Sequence, residues 1–215
     1  MLTIREPKVM ALPLLAVSCA WVFVAVMPMQ HQGAAYFAGW TVMVIAMMVP
    51  TVMRPMRRLA NGSLARASAF LAGYIGVWMI GALPAFFLMD IAMGAPLLTG
   101  VAWVAAGIVQ IAPGTAESLR SCSRLSTDGH PLRAGIRQGL WCQRGCLMVM
   151  IAAMATAMQL VPVAGVGVMV IATGFMFWEK WNRASLEQVR ALGALFVLIG
   201  AAIIIAAPGL HQHLG

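Results

Sequence analysis

The chain has 215 residues, 62% of them hydrophobic and 9% charged, and its basic residues outnumber the acidic ones by 14 to 6 for a formal charge of +8. Soluble domains carry about 25% charged residues, so a water-soluble globular fold is excluded. The cations sit in short clusters between apolar runs, which argues against a nucleic-acid footprint and for a membrane topology signal.

Seven apolar runs follow one another, at 11–29, 36–53, 68–89, 97–113, 140–159, 163–178 and 191–207. Each is close to the ~20 residues that cross about 30 Å of hydrocarbon. The expected fold class is all-α, a polytopic membrane helix bundle with seven transmembrane helices in a single transmembrane domain over residues 1–215. A transmembrane barrel would show alternating segments of about ten residues, and none occurs. The first run has a basic start and a small residue before Cys19, in AVSC, a faint likeness to a secretory or lipoprotein signal. The apolar run continues well past Cys19, so it reads as a span with Cys19 a buried thiol.

The connections alternate in charge. Arg5 and Lys8 precede the first run, Arg54, Arg57, Arg58 and Arg66 follow the second, Arg120, Arg124, Arg133 and Arg137 follow the fourth, and Lys180, Arg183 and Arg190 follow the sixth. Residues 30–35, 90–96, 160–162 and the tail from Gly209 hold no Lys or Arg, only His31, Asp90, His211 and His213. The positive-inside rule then places the N-terminus in the cytoplasm and the C-terminus outside. The expected partner is the lipid bilayer, its anionic headgroups against the basic loops.

The fifth run carries Cys142, Cys146, Met150, Met154 and Met158 at intervals of four. On a helix such neighbours form one slowly drifting stripe, about 24 Å long. Sulfur ligands are soft and select Cu(I), Zn(II) and similar ions, although methionine also fills gaps in ordinary apolar packing. By the topology, Cys122, Cys142 and Cys146 lie near the reducing cytoplasm, where free thiols or metal thiolates are expected in place of disulfides. The CQRGC spacing puts both later thiols on one face, and Arg144 between them favours the thiolate form. Three thiols suit a trigonal Cu(I) site, or a four-ligand zinc site with His130 or Glu179 added, so copper or zinc is the expected cofactor.

Two further polar groups enter the apolar runs. Gln110 can hydrogen-bond a neighbouring helix or offer a carbonyl ligand, and Glu179 beside Lys180 is an interfacial ion pair or a carboxylate near a metal path. His130 stands in the turn-forming STDGHP and reads as solvated. There is no HExxH, no GxSxG and no phosphate-cradling glycine loop, so no enzymatic activity is expected.

Residue order resembles that of the bacterial predicted metal-binding integral membrane proteins of unknown function, over roughly residues 36–181. The matching strings are WTVMVIAMMVP, with Trp40, Met43, Met47, Met48 and Pro50; AGYIGVW; Gln110, Pro113, Leu119 and Cys122; Cys142 and Cys146; Met158-Gln159-Leu160; and Glu179-Lys180. The chain departs from the family at Thr115 and Ser118, where a Lys and a first Cys stand, and at Gly145 and Leu147, which replace a Cys and a Trp. The resemblance implies a multi-pass protein of the bacterial inner membrane with a metal-related role.

Two functional readings follow. In the first, the protein binds or moves a soft metal ion, with Cys122, Cys142 and Cys146 as cytoplasmic-side ligands and the methionines of runs two and five as weaker sites. In the second, it is a non-catalytic accessory or assembly subunit of a larger membrane complex, its thiols vestigial. A thiol-redox role is the remaining possibility.

Overall fold

The computed structural model describes residues 7–26, 33–92, 95–115, 118, 129–181 and 185–212. Seven long helices have bounds among these residues: α1 Pro7–Val26, α2 Gly33–Ala60, α3 Leu64–Ala92, α4 Pro96–Ile111, α5 Pro131–Met158, α6 Pro162–Trp181 and α7 Leu186–Gln212. No strand occurs among the described residues. Cys122, with Arg5, Arg120, Arg124, Arg183 and His213 of the topology argument, lies outside them.

Four helices begin on a proline, a residue whose missing N–H costs nothing in a first turn. That device moves the start of α5. Hydropathy places the fifth run at residue 140, yet the helix begins at Pro131, because Pro131-Leu132-Arg133-Ala134 winds before the chain becomes apolar. Arg133 and Arg137 occupy its exposed side while Ala134 and Gln138 are buried. The opposite adjustment shortens α4. Pro113 disfavours helical backbone at the residue before it, and Ala112 is extended at φ −59°, ψ 141°, ending the helix at Ile111.

Five helical segments are long and apolar enough to cross a membrane, Gly33–Ala60, Leu64–Leu88, Pro131–Met158, Pro162–Trp181 and Leu186–Ala207. Two of the seven expected runs fall short of that length: the apolar parts of α1 and α4 are Ala11–Val26 and Pro96–Ile111. At 1.5 Å per residue each covers about 24 Å, less than the ~30 Å of a hydrocarbon core. The surface is itself apolar, with Val163 85%, Ile205 79% and Val26 76% exposed, as a lipid environment and not water would stabilise.

The chain divides into two compact units, 1–83 with 120–143, and 84–119 with 144–215. In the first unit α1 packs on α2. α2 and α3 are joined by Asn61 and Gly62, both left-handed at φ 44° and 82°, and Ser63 caps α3 by accepting the Arg66 amide at 3.4 Å. The two helices run antiparallel. Tyr36 donates to the Ala82 carbonyl at 3.4 Å, Trp40 to that of Trp78 at 3.0 Å, and Thr41 to the sulfur of Met79 at 3.1 Å. α5 runs parallel to α3, with Gly135 against the Phe70 carbonyl and Gly139 at Tyr74 and Val77.

In the second unit α4 and α7 are antiparallel and nearly in backbone contact. Gly100 faces Gly200 and Gly107 faces Gly193, so that a Cβ built on Gly100 would lie 2.8 Å from the Gly200 carbonyl. A seven-residue interval keeps each glycine pair on the seam. α4 also runs antiparallel to α5: Gln159 donates to Thr99, and Trp103 to Thr156 at 2.8 Å. Trp103, Phe175 and Phe196 close this core with ring centroids 5.1 and 5.2 Å apart. They border an apolar cavity of about 230 Å³. It is lined mostly by aliphatic and aromatic side chains, and the Thr156 hydroxyl there is already bonded to Trp103 and Ala152.

Candidate metal centre

The sulfur ladder is a buried face of α5. Cys142, Cys146, Met150 and Met154 are 1%, 2%, 0% and 1% exposed. The fifth sulfur, Met158, is only half-buried. Four residues overshoot one helical turn by about 40°, so four steps rotate the stripe about 160° from Cys142. Cys19, expected to be buried, is instead exposed on α1, which places it on the apolar outer surface.

Around the two thiols the surroundings differ. The Cys142 sulfur lies 3.0 Å from the hydroxyl oxygen of Tyr74, both groups buried within the first unit. Near Cys146, in the second unit, Gln110 is fully buried and its amide donates to the Gly145 carbonyl at 3.4 Å. Its carbonyl oxygen Oε1 has no hydrogen-bond partner among the described residues. Arg144 turns outward, its guanidinium against Gly114 beyond the end of α4.

Thr115 and Ser118 stand where the resembling family has Lys and Cys. Both hydroxyls are spent on local backbone: Thr115 donates to the Val109 carbonyl and Ser118 to that of Gly114 at 3.0 Å. These positions offer no soft donor. Glu179 is buried near the end of α6, on the same stripe as Met169, Ala172 and Met176. The last three carry no sequence signal beyond their spacing, and Met169 and Met176 extend the buried sulfur inventory beyond the α5 ladder.

Among the described residues no group of three or more His, Cys, Asp or Glu side chains is arranged to hold a metal ion. A closed zinc site needs four such donors. What the described residues do offer is thiol and thioether sulfur, a set suited to a soft monovalent ion. A family model described as a copper chaperone, PpoB2, matches residues 37–203, most of the chain. The chain belongs to the PpoB2 copper chaperone family. All of Gln110, Cys122, Cys142, Cys146, Met150, Met154, Met158 and Glu179 fall inside the PpoB2 match, and α1 precedes it. No curated protein and no solved structure matches the chain.

Proposed function

We propose that this protein is a membrane-embedded copper chaperone that holds Cu(I) through Cys142 and Cys146 and passes it on without enzymatic chemistry. The observation that carries this is the α5 face, where two thiols one turn apart and two thioethers below them are all buried. Thiolate binds Cu(I) strongly and thioether more weakly, so a graded series lets an ion be held away from water and still be released. Gln110 and Glu179 serve as polar neighbours of the path, and Cys122 supplies a third thiol from the connection before α5.

The setting of this reading is a single domain of seven transmembrane helices in the bacterial inner membrane, with a cytoplasmic N-terminus. Five helices of sufficient length and the alternation of basic connections support it. α1 and α4 complete the count by thinning the bilayer locally, at modest cost.

The second reading, an accessory subunit that helps assemble a larger membrane complex, is favoured by the hydroxyls at Thr115 and Ser118 in place of a Lys and a Cys. The test is the copper content of protein purified in detergent without chelator. About one copper per chain is expected, falling to background in Cys142→Ser/Cys146→Ser with helical circular dichroism unchanged. Copper-free wild-type protein carrying a stoichiometric partner would support the accessory reading instead.

A further inference from the structure

We propose that Tyr74 is the positioning residue of a Cu(I) station at Cys142: its hydroxyl donates to the Cys142 sulfur once that sulfur is a copper-bound thiolate, and so sets how firmly the ion is held. The inference rests on the copper reading and deepens it at one ligand. Tyr74 is fully buried and Cys142 is 1% exposed, both belong to the first unit, and the phenol oxygen lies 3.0 Å from the sulfur.

The packing of α3 on α5 fixes that contact. A Cβ on Gly135 would fall on the Phe70 carbonyl, one on Gly139 would lie 3.1 Å from that of Tyr74, and Gln143 donates to the Val77 carbonyl at 3.4 Å. These contacts hold the two backbones in one register, with Tyr74 beside Gly139 and about one turn short of Cys142. Side chains on a helix tilt toward its N-terminus, which brings the Cys142 sulfur back to the phenol. The ring itself stacks on Phe70, its centroid 6.4 Å away and its plane 6° from parallel. Ring and thiol are thus both positioned by packing, before any ion is present.

The chain has two tyrosines, and the other donates to a backbone carbonyl, that of Ala82 at 3.4 Å from Tyr36. Tyr74 is turned to a sulfur, a weak acceptor as a thiol and a strong one as a thiolate. The hydrogen bond therefore gains its full strength only in the charged form, which is the form that binds metal. When Cu(I) arrives on a thiolate carrier, a Cu–S bond forms at Cys142 and one to the carrier breaks. The Cys142 proton passes to the departing carrier sulfur, and copper stays Cu(I). Ion and thiolate neutralise each other, and a sulfur lone pair turned away from the ion accepts from Tyr74 in place of water. An outer partner of this kind fixes a ligand's orientation, and its loss costs about 10–100-fold in metal affinity.

The experiment uses the full chain in detergent, with Cu(I) supplied from a chromophoric Cu(I) chelator whose colour reports the affinity. Tyr74→Phe is expected to bind Cu(I) about tenfold more weakly. Its thiolate-to-Cu(I) charge-transfer band should move to longer wavelength, because a sulfur that loses a hydrogen-bond donor holds its electrons less tightly. Tyr36→Phe makes the same chemical change at the α2 contact with α3 and should leave both readings at wild type. It also leaves Tyr74 as the one tyrosine in the chain. The tyrosine C–O infrared band of the Tyr36→Phe protein should then shift on adding Cu(I), as the hydroxyl becomes a donor to charged sulfur, and this reading carries the test where Tyr74→Phe loses its monodisperse elution. Wild-type affinity and band position in Tyr74→Phe, or a C–O band unmoved by Cu(I), would overturn the proposal while leaving the copper reading standing. An equal loss of affinity in both tyrosine variants would mark a packing effect and overturn it too. A wild-type protein that takes up no Cu(I) would overturn proposal and copper reading together.

Discussion

Tyr74 shows how one side chain can serve packing and chemistry together. Its ring stacks on Phe70 at 6.4 Å and nearly parallel, while its hydroxyl meets Cys142. Tyr74→Phe keeps the ring and removes the oxygen. A buried hydrogen bond contributes about 1 kcal/mol, so this variant should unfold at slightly lower temperature and expose Cys142 to faster alkylation by a small apolar maleimide, followed by mass spectrometry. Unchanged alkylation would mean that the hydroxyl does not restrain the sulfur. Tyr74 is present in AGYIGVW, yet no spacing rule joins residue 74 to 142. Gln110 was readable as a helix-to-helix donor, because a carboxamide at membrane depth requires a partner. That its acceptor is the Gly145 carbonyl was not.

At the scale of the element, glycine separates positions that are open from positions that are sealed. A Cβ on Gly145 would meet nothing within 4 Å, whereas one on Gly107 would strike the Gly193 carbonyl and come within 2.8 Å of the Val197 amide nitrogen. Gly145→Ala should therefore hold or raise stability by about 0.5–1 kcal/mol through helix propensity. Gly107→Leu should drive α4 from α7 at a cost of about 1–3 kcal/mol or more. Thermal unfolding in detergent followed by circular dichroism measures both, and equal melting temperatures would refute the seam. The interval of seven from Gly100 to Gly107 and from Gly193 to Gly200 stands in the sequence, but only the fold matches one pair to the other. The short extent of α4 was likewise implicit in Pro113, whereas hydropathy counts Ala112 and Pro113 as part of the run.

For the whole molecule, the directions of the helices within each unit accord with the alternating charges of the connections. α2 opposes α3 and α5 runs with α3 in the first unit, and α4 opposes both α5 and α7 in the second. An impermeant thiol reagent on intact cells tests the orientation, in a background with the native cysteines replaced by serine. Ala65→Cys, exposed at the start of α3, should stay unlabelled, and Val161→Cys, exposed between α5 and α6, should react. The reverse pattern would invert the topology. Composition and hydropathy alone determined the class, the number of apolar runs, the basic connections and the sulfur interval on α5, because burial in lipid acts residue by residue and leaves its mark in local composition. The tertiary structure decided which sulfurs remain inward, since helical drift carries Met158 out of the stripe. It also decided that the Cys142 sulfur of α5 meets the Tyr74 hydroxyl of α3, because register between helices is set by side chains meeting across distances in sequence that no local pattern records.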